Sequence, residues 1–106
     1  MRQEYPFLVA GQWRTSQEPV EIRSPYNGEV VGLTYHATPQ DVADAIEAAA
    51  CAFAEMRRVP TYRRAEILEK IVQALRAQQE EIARLIALEA AKPIRLARAE
   101  AARAVL

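Results

Sequence analysis

The sequence predicts an α+β fold in which N-terminal β-hairpins are followed by three to four α-helices. Up to residue 36, short apolar segments alternate with polar residues and are separated by glycine-containing turns, which is typical of hairpins. From Thr38 onward, the apolar residues recur at spacings of three, four and seven, which indicates helices. We therefore expect hairpins over residues 1–36 and helices over residues 38–106.

The hairpins are predicted from their turns. Residues 7–10 read as a strand, Gly11-Gln12 as a tight turn and Trp13 as part of a second strand, because Gly11 can adopt a positive φ. Residues 20–23 alternate with period two, and residues 29–35 return as the partner strand. Between them, Asn27-Gly28 is a pair favoured where both central φ values are positive, so we expect a tight hairpin tip there.

The first helix has a well-marked start and a one-sided apolar pattern. Thr38 can cap the helix, Pro39 suits its first position, and Asp41 lies where a carboxylate meets free N–H groups. Pro60 is expected to end it. The apolar positions on one side predict a stripe that packs into the core: Val42, Ile46, Ala49, Phe53 and Met56.

The remaining helices are predicted from caps and prolines. Thr61 can cap a second stretch of about seven turns, either one helix or two with a kink near Gln78-Gln79. Pro93 suits the start of a last helix, which is expected to run to the final residue. One side of the long stretch is apolar, at Leu68, Ile71, Val72, Leu75, Ile82, Leu85 and Ile86.

Composition narrows the function classes. The chain of 106 residues has fourteen basic and fourteen acidic side chains, and pairs such as Glu66/Lys70 and Glu80/Arg84 favour a solvated helix face over a nucleic-acid patch. One cysteine allows no internal disulfide, and the longest wholly apolar run has seven residues, below the roughly 18 of a membrane span. We expect a soluble, cytoplasmic protein that binds neither nucleic acid nor membrane.

No residues form a recognisable catalytic, cofactor-binding or metal-binding set. His36 has no ligand-type neighbour at a metal-binding spacing and is interpreted as a turn residue. Cys51 lies in the middle of a predicted helix among alanines, without a cationic neighbour to activate it, and is interpreted as a packing or tolerated residue. None of the three glycines opens a helix, so no dinucleotide phosphate loop is predicted. The predicted sets of catalytic, cofactor-binding and metal-binding residues are all empty.

The order of several short motifs resembles the N-terminal quarter of the aldehyde dehydrogenase superfamily. The specific parts are a G-x-W turn at Gly11-Gln12-Trp13, an N-P-x-x-G-E-like run at residues 24–29 and an E-x-G-K-P-like run at residues 89–93. The stretch "AEMRRVPTYRRAEIL" is most similar to one branch of the superfamily. That branch contains the lactaldehyde, phosphonoacetaldehyde and non-phosphorylating glyceraldehyde-3-phosphate dehydrogenases. Ser24 and Ala91 depart from the family's usual asparagine and glycine. At Ala91, a left-handed helix end would cost about 1 to 2 kcal/mol, unless the turn is rebuilt.

The resemblance implies an α/β parent fold with a Rossmann-type cofactor domain, of which residues 1–106 are the N-terminal part. The parent enzyme uses NAD or NADP and a cysteine thiolate to oxidise an aldehyde to a carboxylic acid. By the resemblance, its catalytic and cofactor-binding residues lie beyond Leu106, and this segment alone binds no cofactor and is inactive. The implied partners are the remainder of the dehydrogenase chain and further copies in a homo-oligomer.

Two other interpretations remain open from sequence. One is a free-standing helical interaction module without catalysis, and the other, favoured less, is a nucleic-acid binder that uses the arginines of residues 61–106. Since the helices carry more apolar surface than two short hairpins can cover, we expect the isolated chain to self-associate or to stay partly molten.

Overall fold

The computed structural model describes residues 3–106, and it confirms the order of β-hairpins followed by α-helices. Four strands form two separate two-stranded sheets. The strands are β1 (Phe7–Val9), β2 (Gln12–Arg14), β3 (Pro19–Arg23) and β4 (Val30–Tyr35). Four helices follow over the described residues: α1 (Pro39–Met56), α2 (Thr61–Ala77), α3 (Gln79–Ala90) and α4 (Ile94–Arg103).

The chain divides into two compact units. The first contains the residues up to Arg23 together with Val30–Val59, and therefore holds both sheets and α1. The second contains Ser24–Glu29 and Pro60–Leu106, and therefore holds the loop between β3 and β4 and the last three helices.

The first hairpin turns one residue earlier than the sequence predicts. Ala10 and Gly11 have φ values of 51° and 77°, and Val9 pairs with Gln12, so the turn is Ala10-Gly11 and Gln12 already belongs to β2. Two successive positive φ values match the right-handed twist of the flanking strands. The prediction of a positive φ at Gly11 is confirmed. The predicted position of the turn, Gly11-Gln12, is wrong, because closing the Val9–Gln12 pair requires Ala10 to adopt the left-handed conformation as well.

The second hairpin is confirmed, but its tip is wider than a two-residue turn. Gly28 has a φ of 73°, but Asn27 does not have a positive φ. Over residues 3–106, the only non-glycine residues with a positive φ are Ala10 and Ala91. Ser24 closes a longer loop: its N–H donates to the Glu29 carbonyl at 2.9 Å, and its carbonyl accepts from Gly28 at 2.8 Å. The predicted tight turn at Asn27-Gly28 is therefore wrong. The register of the two strands also shifts at Ile22/Arg23, so a two-residue connection does not fit.

A third segment lies along β4 and was not predicted. The Tyr5 N–H donates to the Leu33 carbonyl at 2.8 Å, and the Leu33 N–H donates to the Gln3 carbonyl at 3.0 Å. Gly32 is buried beneath this segment, and a Cβ atom there would lie 2.8 Å from a ring carbon of Tyr5. Glycine at position 32 therefore allows the aromatic ring to approach the strand closely.

Helix α1 begins as the sequence predicts. Thr38 is the N-cap, and its hydroxyl accepts from the Asp41 N–H at 3.1 Å. The Asp41 carboxylate accepts in return from the Thr38 N–H at 2.8 Å. This reciprocal capping box satisfies N–H groups that otherwise have no partner in the first helical turn. The helix ends at Met56, before Pro60, as expected.

The later helices match the predicted pattern with three differences at their ends. The long apolar stretch breaks at Gln78, which supports the two-helix alternative. Pro60, not Thr61, is the N-cap of α2, because its extended backbone directs its carbonyl to the N–H groups of Arg63 and Arg64. Pro93 likewise precedes α4 as its N-cap, and α4 ends at Arg103 rather than at the final residue.

The core of the second unit is built from small side chains. Ala83, Ala97 and Ala101 are buried where α3 meets α4, and Ile82 and Ile86 pack against them half-buried. Ala91 ends α3 with φ 51° and ψ 32°, so the left-handed alternative is the one that the chain adopts. No large side chain among residues 3–106 is fully buried.

Candidate functional site

The residues with reactive side chains lie apart from one another. His36 is exposed in the connection between β4 and α1, and its N–H donates to the Glu18 carbonyl at 3.0 Å, next to the last β3–β4 pair. Cys51 is exposed on α1, so tolerance rather than packing describes its position. Within residues 3–106, no three His, Cys, Asp or Glu side chains are grouped to hold a metal ion.

The chain's own glycines do not form a dinucleotide site. Gly11 and Gly28 lie in the two hairpin loops, and Gly32 is enclosed by Tyr5 within β4. A phosphate-binding loop needs glycines between a strand and a helix N-terminus, where the backbone approaches the pyrophosphate. The glycines of this segment therefore do not form a phosphate-binding loop of this kind.

The best-defined polar cluster is an ion-pair network between β2 and α1. The Arg14 guanidinium Nη1 lies 2.9 Å from Asp41 Oδ1 and 2.7 Å from Asp44 Oδ2. Asp41 is buried, and Gln40 donates to the second carboxylate oxygen of Asp44 at 2.8 Å. Charge-assisted hydrogen bonds of this kind fix orientation, because several donors converge on each carboxylate.

The electrostatics of this network favour the ionised form of both carboxyl groups. Hydrogen bonds from the backbone and the hydroxyl of Thr38, followed by the Arg14 pair, lower the pKa of Asp41. The Arg14 hydrogen bond, followed by that of Gln40, lowers the pKa of Asp44, and the two carboxylates raise the pKa of Arg14, Asp44 having the larger effect. All three groups stay charged near neutral pH, so none is suited to transfer protons there. The network is a structural clamp.

Sequence reasoning missed this clamp. Arg14 lies 27 residues from Asp41 and 30 residues from Asp44, and no local periodicity relates an arginine on a strand to two aspartates in a later helix. The clamp holds the polar side of α1 toward the first hairpin. On this side Asp41 is buried, and Asp44 and Ala48 are half-buried.

The apolar face of α1, which consists of Val42, Ile46, Ala49, Phe53 and Met56, is left uncovered. Its largest members, Ile46 and Phe53, are 66% and 63% exposed. The prediction that this stripe packs into the core of the chain is wrong, since the Arg14 pairs hold the opposite side of the helix against the hairpin. A helix with an apolar side normally buries it. The apolar face of α1 is therefore the main candidate for a contact with further protein.

Helix α2 also exposes apolar side chains. Among its residues none is buried, and Leu68 and Ile71 are exposed whereas Val72 and Leu75 are half-buried. The predicted apolar side is thus only partly covered.

The charges of the second unit lie mostly on its surface. The Arg98 guanidinium donates to both carboxylate oxygens of Glu80, at 2.8 and 3.0 Å, which lowers the pKa of Glu80. The predicted Glu80/Arg84 pair is present at 3.7 Å. The Glu66 carboxylate accepts from Arg63 at 3.0 Å, within one turn of α2. Since these pairs are exposed, they contribute little to stability.

Comparison with known proteins decides the family. Residues 13–106 match the sequence profile of the aldehyde dehydrogenase family. The chain belongs to this family. The match begins at Trp13 in the first hairpin and continues through all four helices, so it includes both the clamp and the apolar face of α1.

Individual relatives support the same assignment. The chain is 29% identical over 98 residues to lactaldehyde dehydrogenase of Methanocaldococcus jannaschii, which confirms the resemblance to that branch. It superimposes with a TM-score of 0.91 on aldehyde dehydrogenase 21 of Physcomitrella patens, solved with the reaction product succinate, at 32% identity. It superimposes with a TM-score of 0.89 on NADP-dependent glyceraldehyde-3-phosphate dehydrogenase of Bacillus halodurans, solved with NADP, at 28% identity.

The matches cover nearly all of this chain but only part of each relative. They include 92% of this chain and 21% of the M. jannaschii enzyme, and 97% of this chain and 22% of each of the two solved structures. The chain thus spans about a fifth of the length of these relatives.

Over residues 3–106, no helix has the length and hydrophobicity that crossing a bilayer requires.

Proposed function

We propose that residues 1–106 are the N-terminal scaffold of an NAD(P)-dependent aldehyde dehydrogenase that oxidises an aldehyde to a carboxylic acid. The observation that carries this proposal is the uncovered apolar face of α1 in a chain that belongs to the dehydrogenase family. An exposed apolar stripe on a helix clamped by its polar side needs another protein surface. The remainder of the dehydrogenase chain supplies that surface.

The role of the segment is to form the N-terminal part of the cofactor-binding domain, as supporting hairpins and helices. NAD or NADP bound to the complete enzyme accepts the hydride that leaves the substrate. Residues 1–106 contribute no catalytic, cofactor-binding or metal-binding side chain under this proposal, and the segment alone is inactive. The dispersed positions of His36 and Cys51 support this division of labour.

The substrate proposed for the complete enzyme is a small hydroxylated or phosphorylated aldehyde. Support comes from the relatives named for lactaldehyde and glyceraldehyde 3-phosphate. We place the enzyme in the cytoplasm as a homo-oligomer, and we propose contacts with neither nucleic acid nor membrane. The pairing of Glu80 of α3 with Arg98 of α4 and with Arg84 of its own helix supports the absence of a nucleic-acid surface.

The experiment that tests the proposal compares two proteins. The first is the product of the complete reading frame that contains this segment, and the second is the isolated 106-residue chain as the control. Aldehyde-dependent reduction of NAD or NADP, followed by absorbance, is expected for the first and absent for the second. Nucleotide binding by calorimetry is expected to give the same contrast, because the isolated chain lacks the groups that covalent attack and hydride transfer require.

The physical state of the isolated chain provides a second readout. With its apolar face uncovered, it is expected to bind a hydrophobic dye and to self-associate in sedimentation experiments. A reading frame that ends at Leu106, together with a dye-silent monomer that unfolds cooperatively, would contradict the proposal and support a free-standing helical interaction module. Turnover by the isolated chain would contradict the scaffold role.

A further inference from the structure

We draw no further inference here: the strongest candidate, the exposed apolar face of α1, belongs to the surface already assigned to the remainder of the dehydrogenase chain, and nothing in the structure indicates a different occupant.

Discussion

Replacing Phe53 on the apolar face of α1 by alanine tests whether this face is covered in the complete enzyme. In the isolated chain Phe53 is 63% exposed, so only about a third of the residue is withdrawn from water. Full burial of such a side chain contributes roughly 1.5 to 3 kcal/mol, and a third of that is about 0.5 to 1 kcal/mol. The Arg57 guanidinium, 5.9 Å from the ring centroid, adds roughly 0.5 to 1 kcal/mol at an exposed position.

The expected loss of unfolding free energy in the isolated chain is therefore about 1 to 2 kcal/mol at most. In the complete dehydrogenase, where we propose that the face is covered, Phe53→Ala is expected to cost about 3 to 5 kcal/mol, because burial is lost and a cavity remains. Denaturant unfolding of both proteins measures the difference. If the isolated chain unfolds without a cooperative transition, binding of a hydrophobic dye to the isolated chain is measured instead. Phe53→Ala is expected to reduce this dye binding.

Cys51→Ala is the matched control, since Cys51 is exposed on the same helix, opposite Phe53. It is expected to change stability by no more than about 0.5 kcal/mol in either protein. It should also leave aldehyde oxidation by the complete enzyme nearly unchanged, because Cys51 lies in the middle of α1 among alanines rather than at a helix N-terminus, where a thiolate is stabilised. An equally small cost of Phe53→Ala in the complete enzyme would refute the reasoning, since the face would then remain uncovered there.

Three further predictions concern the local devices of the fold, each measured by denaturant unfolding of the complete protein. Ala91→Gly is expected to stabilise the folded protein by about 0.5 to 1 kcal/mol, because relief of the left-handed strain exceeds the entropy that glycine adds to the unfolded chain. Its control, Ala90→Gly within α3, should destabilise the protein instead. Thr38→Ala is expected to cost about 1 kcal/mol through loss of the N-cap, whereas Thr38→Ser should retain most of the stability. Arg14→Leu is expected to destabilise near neutral pH and less so in acid. The folded pKa values of its two carboxylate partners are depressed, so their contribution is present above the unfolded pKa of about 3.9 and is lost as the pH falls through the folded values. An unchanged effect of Arg14→Leu across this range would show that the ion pairs do not contribute.

The sequence by itself determined the order of the elements and where the first helix begins. Thr38, Pro39 and Asp41 specify the start of α1 through contacts within three residues, so their geometry depends little on the rest of the chain. Gly28 and the break at Gln78 are similarly local signals. The order of the motifs was also sufficient to recognise the family, because it needs only linear spacing.

Only the tertiary structure decided which side of each element is covered. Periodicity identified the apolar stripe of α1 but could not say that Arg14 would hold the opposite side of the helix against the first hairpin. The packing of Tyr5 over Gly32 was equally hidden in the sequence. The physical reason is that these contacts join residues about thirty positions apart, and their free energy depends on loop closure and on surfaces that local propensity does not encode. For the apolar stripe of α1, the pattern predicted a buried face that residues 3–106 leave exposed.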